Sequence, residues 1–173
     1  TAKDPDISMY DESLERDIPE NLEVLRVPIW EPFKLYRFIT GQKQEKVNPG
    51  FLKKSNKVSV FEGISLWIRG NLFIPDAKRF WFRPSVNTLT KYLKNNKVDV
   101  IVSTGPPHTT HLIAMDISKK FKIPWLADFR DPWTNIDFYH KLNLSSRANK
   151  IHKKLELNVL KSADIVTTVS ESW

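Results

Sequence analysis

The sequence predicts an α/β fold with three layers and a mostly parallel sheet. From Val98 onward, short and nearly uninterrupted apolar strands alternate with amphipathic helices, and this order is typical of a parallel sheet covered by helices. The chain has 173 residues, of which 40% are hydrophobic, so it is long enough to bury one domain-sized core. We therefore predict a single domain over residues 1–173.

The N-terminal half gives a weaker pattern. Proline residues break residues 1–21 into a predicted loop, and alternating apolar residues in NLEVLRVPI indicate a half-buried strand that ends at Pro28. A short helix over 31–40 and a basic linker over 41–57 come next. The remaining elements of this half are helices over 58–74 and 83–97.

The C-terminal half gives the regular alternation. Its predicted strands are 98–104, 123–129 and 164–170, and its predicted helices are 108–122 and 145–163. Apolar spacing in the second helix predicts four inward-facing residues: Ala148, Ile151, Leu155 and Val159. The last residues, SESW, read as the start of another helix.

Composition limits the classes of protein. The chain has no cysteine, which excludes disulfides and thiolate metal sites, and no apolar run approaches the roughly 18 residues that span a bilayer. The acidic, polar N-terminus does not have the pattern of a signal or transit peptide. The lack of cysteine fits a cytoplasmic protein, which we expect. A net charge of +7 favours anionic partners, but no nucleic-acid-binding module is recognisable.

Polar residues follow the first regular strand in STGPPHTTH. Gly105 makes a tight turn, and His108 opens a helix whose free amides suit an anion or a sugar hydroxyl. The equally open alternative is a stiff turn with a helix cap. His108 and His111 could pair on a metal, but without a third ligand capping or hydrogen bonding is favoured, and we predict no metal site.

Charged residues and an indole follow the second strand in IPWLADFRDPWTN. Asp128, Arg130 and Asp131 could bind sugar hydroxyls, orient a phosphate or supply a base. Trp133 offers a flat face of the kind that packs on sugar rings. The alternative is an internal ion pair from Arg130 to one of the two aspartates, which would hold the loop in shape.

Two further stretches carry candidate residues. Ser170 and Glu171, after the third strand, suit either a helix cap or a ligand contact. The segment WIRGNLFIPDAKRFWFRPS mixes aromatic and basic residues, which indicates either a core helix pair or a membrane-surface patch. Its membrane-facing candidates would be Trp67, Arg69, Arg79 and Trp81.

Four motifs together resemble the N-terminal domain of bacterial, family-four-like GT-B glycosyltransferases. The motifs are RGNLFIPDAKRFW, VDVIVSTGPPHTTHLIA, IPWLADFRDPWTN and LKSADIVTTVSES, and the match runs from DESLERDIPENLEV onward. The resemblance implies a Rossmann-like acceptor-binding domain, half of a two-domain enzyme. The other domain would bind a nucleotide-sugar, and transfer in the cleft would usually retain the sugar's configuration without a required metal.

The resemblance also assigns roles. The His that often follows the strand equivalent to IPWLAD is replaced here, so Asp128 and Arg130 become the catalytic candidates. The substrate-binding candidates are Gly105, His108, Asp131, Trp133, Ser170 and Glu171. The acceptor would be a glycan or a lipid-linked sugar at the inner face of the cytoplasmic membrane, in the biosynthesis of a cell-envelope polysaccharide.

Compared with that family, the chain is expected to lack a first strand with its Gly-rich loop and the whole donor-binding domain. We therefore expect no bound cofactor in this part, no transfer by this part alone, and an open sheet edge that could support self-association. The alternative is a non-catalytic basic and aromatic module that docks on anionic lipid or another polyanion.

Overall fold

A computed structural model describes residues 1–3, 16–31, 67–68 and 70–171. Its main elements are connected by two short 3₁₀ helices, Arg79–Trp81 with three residues and Tyr139–Leu142 with four. The strands are β1 (Ala2–Lys3), β2 (Val27–Pro28), β3 (Ile101–Gly105), β4 (Trp125–Phe129) and β5 (Ile165–Thr168). The helices are α1 (Phe82–Leu93), α2 (Thr109–Phe121) and α3 (Ser146–Ser162).

All strand pairs in the described residues are parallel. β3, β4 and β5 form one sheet in that order, while β1 pairs with β2 in a second, two-stranded sheet. Helices α2 and α3 are the crossovers that parallel pairing requires. The predicted α/β fold with parallel strands and a Rossmann-like arrangement is confirmed.

One face of the three-stranded sheet forms the core. Trp125, Ala127 and Phe129 point from β4 toward Ala114 of α2 and Val159 of α3, and all five are at most 5% exposed. On the opposite face, Val102 is 63% and Ile165 57% exposed. Both crossover helices therefore lie on the same side of this sheet.

Helix α3 differs from its predicted packing. Ala148, Leu155 and Val159 face inward as predicted, but Ile151 is 38% exposed and His152, at 4%, takes the inward position. Positions 148, 152, 155 and 159 follow the helical repeat, and a histidine can occupy the second of them because both of its ring nitrogens are hydrogen bonded.

Several N-terminal predictions change or lie beyond the described residues. The predicted strand over 21–29 is reduced to Val27–Pro28, and Leu22 is 57% exposed. The predicted helix over 83–97 begins at Phe82 and ends at Leu93. The predicted 58–74 helix is helical at 67–68 and 70–72. Its residues 58–66 and 69 lie outside the described residues. The same holds for the linker over 41–57 and for residues 4–15 and 32–40.

Across the described ranges, no helix has the length and apolar character needed to cross a bilayer.

Candidate functional site

The carboxyl edge of the three-stranded sheet centres on Asp128. Register places Thr104 of β3 and Thr167 of β5 beside it, on the same face of the sheet. The Thr104 hydroxyl donates to Asp128 Oδ2 at 2.8 Å and the Thr167 hydroxyl to Oδ1 at 2.8 Å. Each carboxylate oxygen is thus held by one neighbouring strand, which fixes the orientation of the carboxylate.

These hydroxyls also set the charge of Asp128. Hydrogen bonds from Thr104 and then Thr167 lower the pKa of this carboxyl, and the Arg130 guanidinium lowers it further. A general base works best with a pKa near the operating pH. Asp128 is therefore suited to accepting hydrogen bonds and stabilising positive charge rather than to taking up a proton.

Arg130 joins the two neighbouring strand ends. Its Nη2 donates to the Pro106 carbonyl at 2.8 Å, and its backbone N–H donates to the Gly105 carbonyl at 3.0 Å. Within the described part of the chain its guanidinium forms no ion pair with Asp128 or Asp131. The loop is thus held by backbone carbonyls rather than by the internal ion pair that the sequence left open, and Arg130 stays exposed while Asp131 is half-buried.

Trp133 does not offer an open face to a sugar ring. It is 3% exposed, and its ring stacks on that of His108 with centroids 4.5 Å apart and planes 1° from parallel. Its Nε1 donates to His152 Nδ1 at 3.1 Å. The indole anchors the loop after β4, because burying its large apolar surface against other rings stabilises the fold more than leaving it exposed.

The indole also fixes the protonation of His152. Since Trp133 can only donate, His152 Nδ1 must accept, so the ring proton is on Nε2, which lies 3.2 Å from the Gly70 carbonyl. Burial lowers the pKa of His152. This histidine is neutral and structural.

A second indole and histidine repeat the arrangement. Trp125 Nε1 donates to Ser103 Oγ at 2.8 Å, and Ser103 Oγ lies 2.8 Å from His111 Nδ1. The serine hydroxyl can donate to Nδ1 or accept from it, so this contact is compatible with either neutral tautomer of His111. Burial lowers the pKa of His111 to about 4, and its ring stacks on Phe129.

Gly105 and His108, both predicted to border the site, are buried beneath it. A Cβ on Gly105 would lie 2.5 Å from His111 Nε2 and 3.3 Å from His108 Nδ1. Neither nitrogen has a hydrogen-bond partner in the described residues. Burial, with the nearby His111 and His152 rings, lowers the pKa of His108 to about 3.

Helix α2 is capped by a residue that the sequence did not single out. The His108 side chain, predicted to cap, makes no capping hydrogen bond. Asp76 does so instead, accepting from the Thr109 N–H and hydroxyl at 2.8 Å each. Desolvation raises the pKa of Asp76. No local pattern identifies it, because its partner lies 33 residues further along the chain.

Glu156 of α3 fixes the loop after β4 through two hydrogen bonds. Its carboxylate accepts from the Thr134 N–H at 3.0 Å and from the Thr134 hydroxyl at 2.5 Å. With the Trp133–His152 contact, this attaches two consecutive loop residues to one helix. No sequence pattern identified Glu156, because a single glutamate on a basic helix looks like a solvent-exposed residue.

The remaining candidates follow the end of β5. Ser170 is half-buried in a turn, where its carbonyl accepts from Thr168 Oγ1 at 2.8 Å and its N–H donates to the same oxygen at 3.1 Å; Glu171 is exposed. The start of a helix predicted there falls partly on 172–173, outside the described residues. No group of three potential metal ligands occurs in the described ranges.

The aromatic and basic candidates are mostly engaged within the protein. Trp81 is half-buried and donates to the Val27 carbonyl at 3.3 Å. Arg79 donates to the Leu72 carbonyl and lies 5.4 Å above the Phe80 ring. Trp67 is 45% exposed, and Arg69 lies outside the described residues.

No protein-family model, no curated protein and no solved structure matches the chain.

Proposed function

We propose that this protein is the acceptor-side domain of a GT-B glycosyltransferase, which transfers a sugar from a nucleotide-sugar to a glycan or lipid-linked acceptor. One observation carries the proposal: the Asp128 carboxylate, at the carboxyl end of the central strand, is oriented by hydroxyls from both neighbouring strands. Ligands of open parallel sheets bind beyond this edge. The four motifs that resemble the family include all three strands that meet there.

The chemistry proposed for the edge is recognition and charge stabilisation. Asp128 would accept a hydrogen bond from a sugar hydroxyl, and the exposed Arg130 would stabilise negative charge on a phosphate or a departing nucleotide. Asp131, beside them, would contact the acceptor. Trp133, His108 and Gly105 would support these residues from inside the protein rather than touch the substrate. The nucleotide-sugar would be bound by a second domain.

The alternative of a basic and aromatic binding module receives less support from its original segment. Trp81 and Arg79 make contacts within the protein, and Trp67 is 45% exposed. We therefore give the transferase proposal precedence.

The proposal is tested with Arg130→Ala and Asp128→Asn in the full-length protein, with release of nucleoside diphosphate as the measured activity. Loss of one charge-assisted hydrogen bond to substrate should lower kcat/KM by roughly 10- to 100-fold in each variant. Arg83→Ala, at an exposed position of α1, is the control and should keep full activity. Circular dichroism should be the same for all three. Unchanged turnover in Arg130→Ala would rule out its assigned role.

A further inference from the structure

Three side chains at the carboxyl ends of β3, β4 and β5 form an acceptor row, made of Thr104, Asp128 and Thr167. The three residues are in register, and the two threonine hydroxyls donate to the two oxygens of Asp128 at 2.8 Å each. A threonine hydroxyl carries one hydrogen, and an ionised carboxylate carries none. Because both hydrogens are used within the row, only lone pairs are left to meet a ligand.

The acceptor row lies on the face of the sheet that points away from α2 and α3. Side chains alternate between the two faces of a strand, and Ala127 and Phe129, on either side of Asp128, point into the core. Asp128 therefore points to the opposite face. Thr104 is exposed, while Asp128 and Thr167 are half-buried, so a ligand beyond the strand ends can reach all three.

Both oxygens of Asp128 keep room for another hydrogen bond. A carboxylate offers about four lone-pair positions, and the two threonines occupy one on each oxygen. The remaining positions can accept two hydrogens from neighbouring donor atoms, as in bidentate binding of a guanidinium. Two hydroxyls on adjacent carbons of a sugar ring present hydrogens in this way.

We propose that the acceptor row binds two adjacent hydroxyls of the acceptor sugar, each donating to one oxygen of Asp128. The inference rests on the proposed function, because it names the part of the acceptor that faces this carboxylate. Ionised phosphate and carboxylate groups lack the hydrogens that the row requires, and Asp128 repels their charge. A cationic ligand is a poorer fit, because the Arg130 guanidinium already acts on the charge of Asp128.

The next row on the same face fits the rest of a sugar ring. Val102, Leu126 and Ile165 are in register, two residues before the members of the acceptor row on their strands. Val102 and Ile165 are exposed, and Leu126 is half-buried. A sugar ring has apolar C–H groups beside its hydroxyls and would bury them against this row, whereas a small ion would gain nothing from it.

Binding is tested by NMR in the full-length protein with labelled threonine methyl groups. The probes are the methyl α-glycosides of glucose, galactose and mannose, with inorganic phosphate as the anionic probe and guanidinium as the cationic one. The signals of Thr104 and Thr167 are assigned by their loss in Thr104→Val and Thr167→Val. We expect at least one glycoside to shift both signals, and neither ion to shift them.

Deoxyfluoro analogues of the binding glycoside test the pair of hydroxyls. Fluorine replaces a hydroxyl with little change in size but donates no hydrogen. Replacement at either of two adjacent positions should weaken binding by roughly 10- to 100-fold, because each loses a hydrogen bond to a charged acceptor. Replacement at the other positions should have a much smaller effect.

Substitutions in the row provide the matching test on the protein. Asp128→Asn puts a donor among the acceptors and should weaken glycoside binding by roughly 10- to 100-fold. Valine at Thr104 or Thr167 should weaken it by roughly threefold to tenfold, since Asp128 is then held from one side only, whereas serine at either position keeps the hydroxyl and the affinity. Thr90→Val, on α1 and outside the row, is the control.

Three results would overturn the inference. They are the absence of a shift with all three glycosides, a shift with phosphate or guanidinium instead, and equal losses on fluorination at every position. Sugar transfer is measured separately, as release of nucleoside diphosphate. Transfer without a preference for adjacent hydroxyls would overturn this inference alone, and glycoside binding with that preference but without transfer would overturn only the proposed function.

Discussion

The Trp133 indole determines the tautomer of the buried His152, because an indole N–H can only donate and His152 Nδ1 must therefore accept. The Trp125 indole donates to Ser103, which in turn contacts His111. His108 has no such partner and is neutral because burial lowers its pKa to about 3. All three rings serve as aromatic core residues at neutral pH, and none is poised as an acid or base.

Gly105 is the residue at which these rings leave no room for a side chain. We expect Gly105→Ala to lower the free energy of unfolding by about 1–3 kcal/mol, because its Cβ would lie 2.5 Å from His111 Nε2 and the ring is stacked on Phe129. Lys119→Ala, at an exposed position of α2, is the control and should be nearly neutral. Urea denaturation measures both, and an equal effect would contradict the argument.

Among the elements, α3 connects the core with the candidate site. Ala148 and Val159 are buried in the core, while His152 and Glu156 of the same helix hold the loop after β4. A rigid helix transmits any displacement of one end to the loop. The loop that carries Asp131 is therefore positioned by packing rather than by its own sequence.

The Glu156–Thr134 contact should be measurable on its own. Glu156→Ala removes both acceptors of Thr134, so we expect the free energy of unfolding to fall by about 1–3 kcal/mol. Asp116→Asn, at an exposed position of α2, makes the same change of charge and should be nearly neutral. Denaturant titration measures the stability of both variants. Equal denaturation midpoints would contradict a stabilising role for the contact.

The sequence predicted the features that depend on local interactions and missed those that depend on residues far apart in the chain. The strands and helices after residue 98 were predicted to within about three residues, because their apolar patterns are local. The inward position of His152 was missed in favour of Ile151, because its burial depends on Trp133, nineteen residues away. The cap from Asp76 spans 33 residues, and no local pattern reveals such a partner.

At the candidate site, the sequence located the strand ends but not the orientation of their side chains. Asp128 and Arg130 were recognised by type and place, and both lie at the carboxyl edge. Trp133 was expected to face a ligand and is instead buried, because stacking on His108 depends on how α2 begins. The roles of Thr104 and Thr167 depend on the register of three strands, which only the fold defines.

For the whole molecule, the buried histidines make stability depend on pH. The pKa values of His108 and His111 are about 3 and about 4 in the folded chain, below the ordinary 6.5, and the pKa of His152 is also lowered. Below about pH 6.5 the unfolded chain takes up protons that the folded chain does not. The stability conferred by the neutral rings is therefore complete above that pH and is lost as the pH falls toward 4.

We expect the free energy of unfolding to fall between about pH 6.5 and pH 4 by up to ~1.4 kcal/mol per pH unit for each buried histidine. His108→Phe keeps a ring on Trp133 and should make the dependence shallower by about one proton. His140→Gln, at an exposed position, should leave the slope unchanged. Denaturation series across this range measure the slope, and a flat profile for the unsubstituted protein would contradict neutral burial.

The cap that Asp76 places on α2 has a consequence for the order of folding. The segment between Asp76 and Thr109 contains all of α1 and β3, so this contact forms only after both have been brought into place. Until then the Thr109 N–H lacks its acceptor, and the entropic cost of closing the loop between the two residues has not been compensated. We therefore infer that the start of this helix is a late event in folding, and that it is among the first parts of the domain to open.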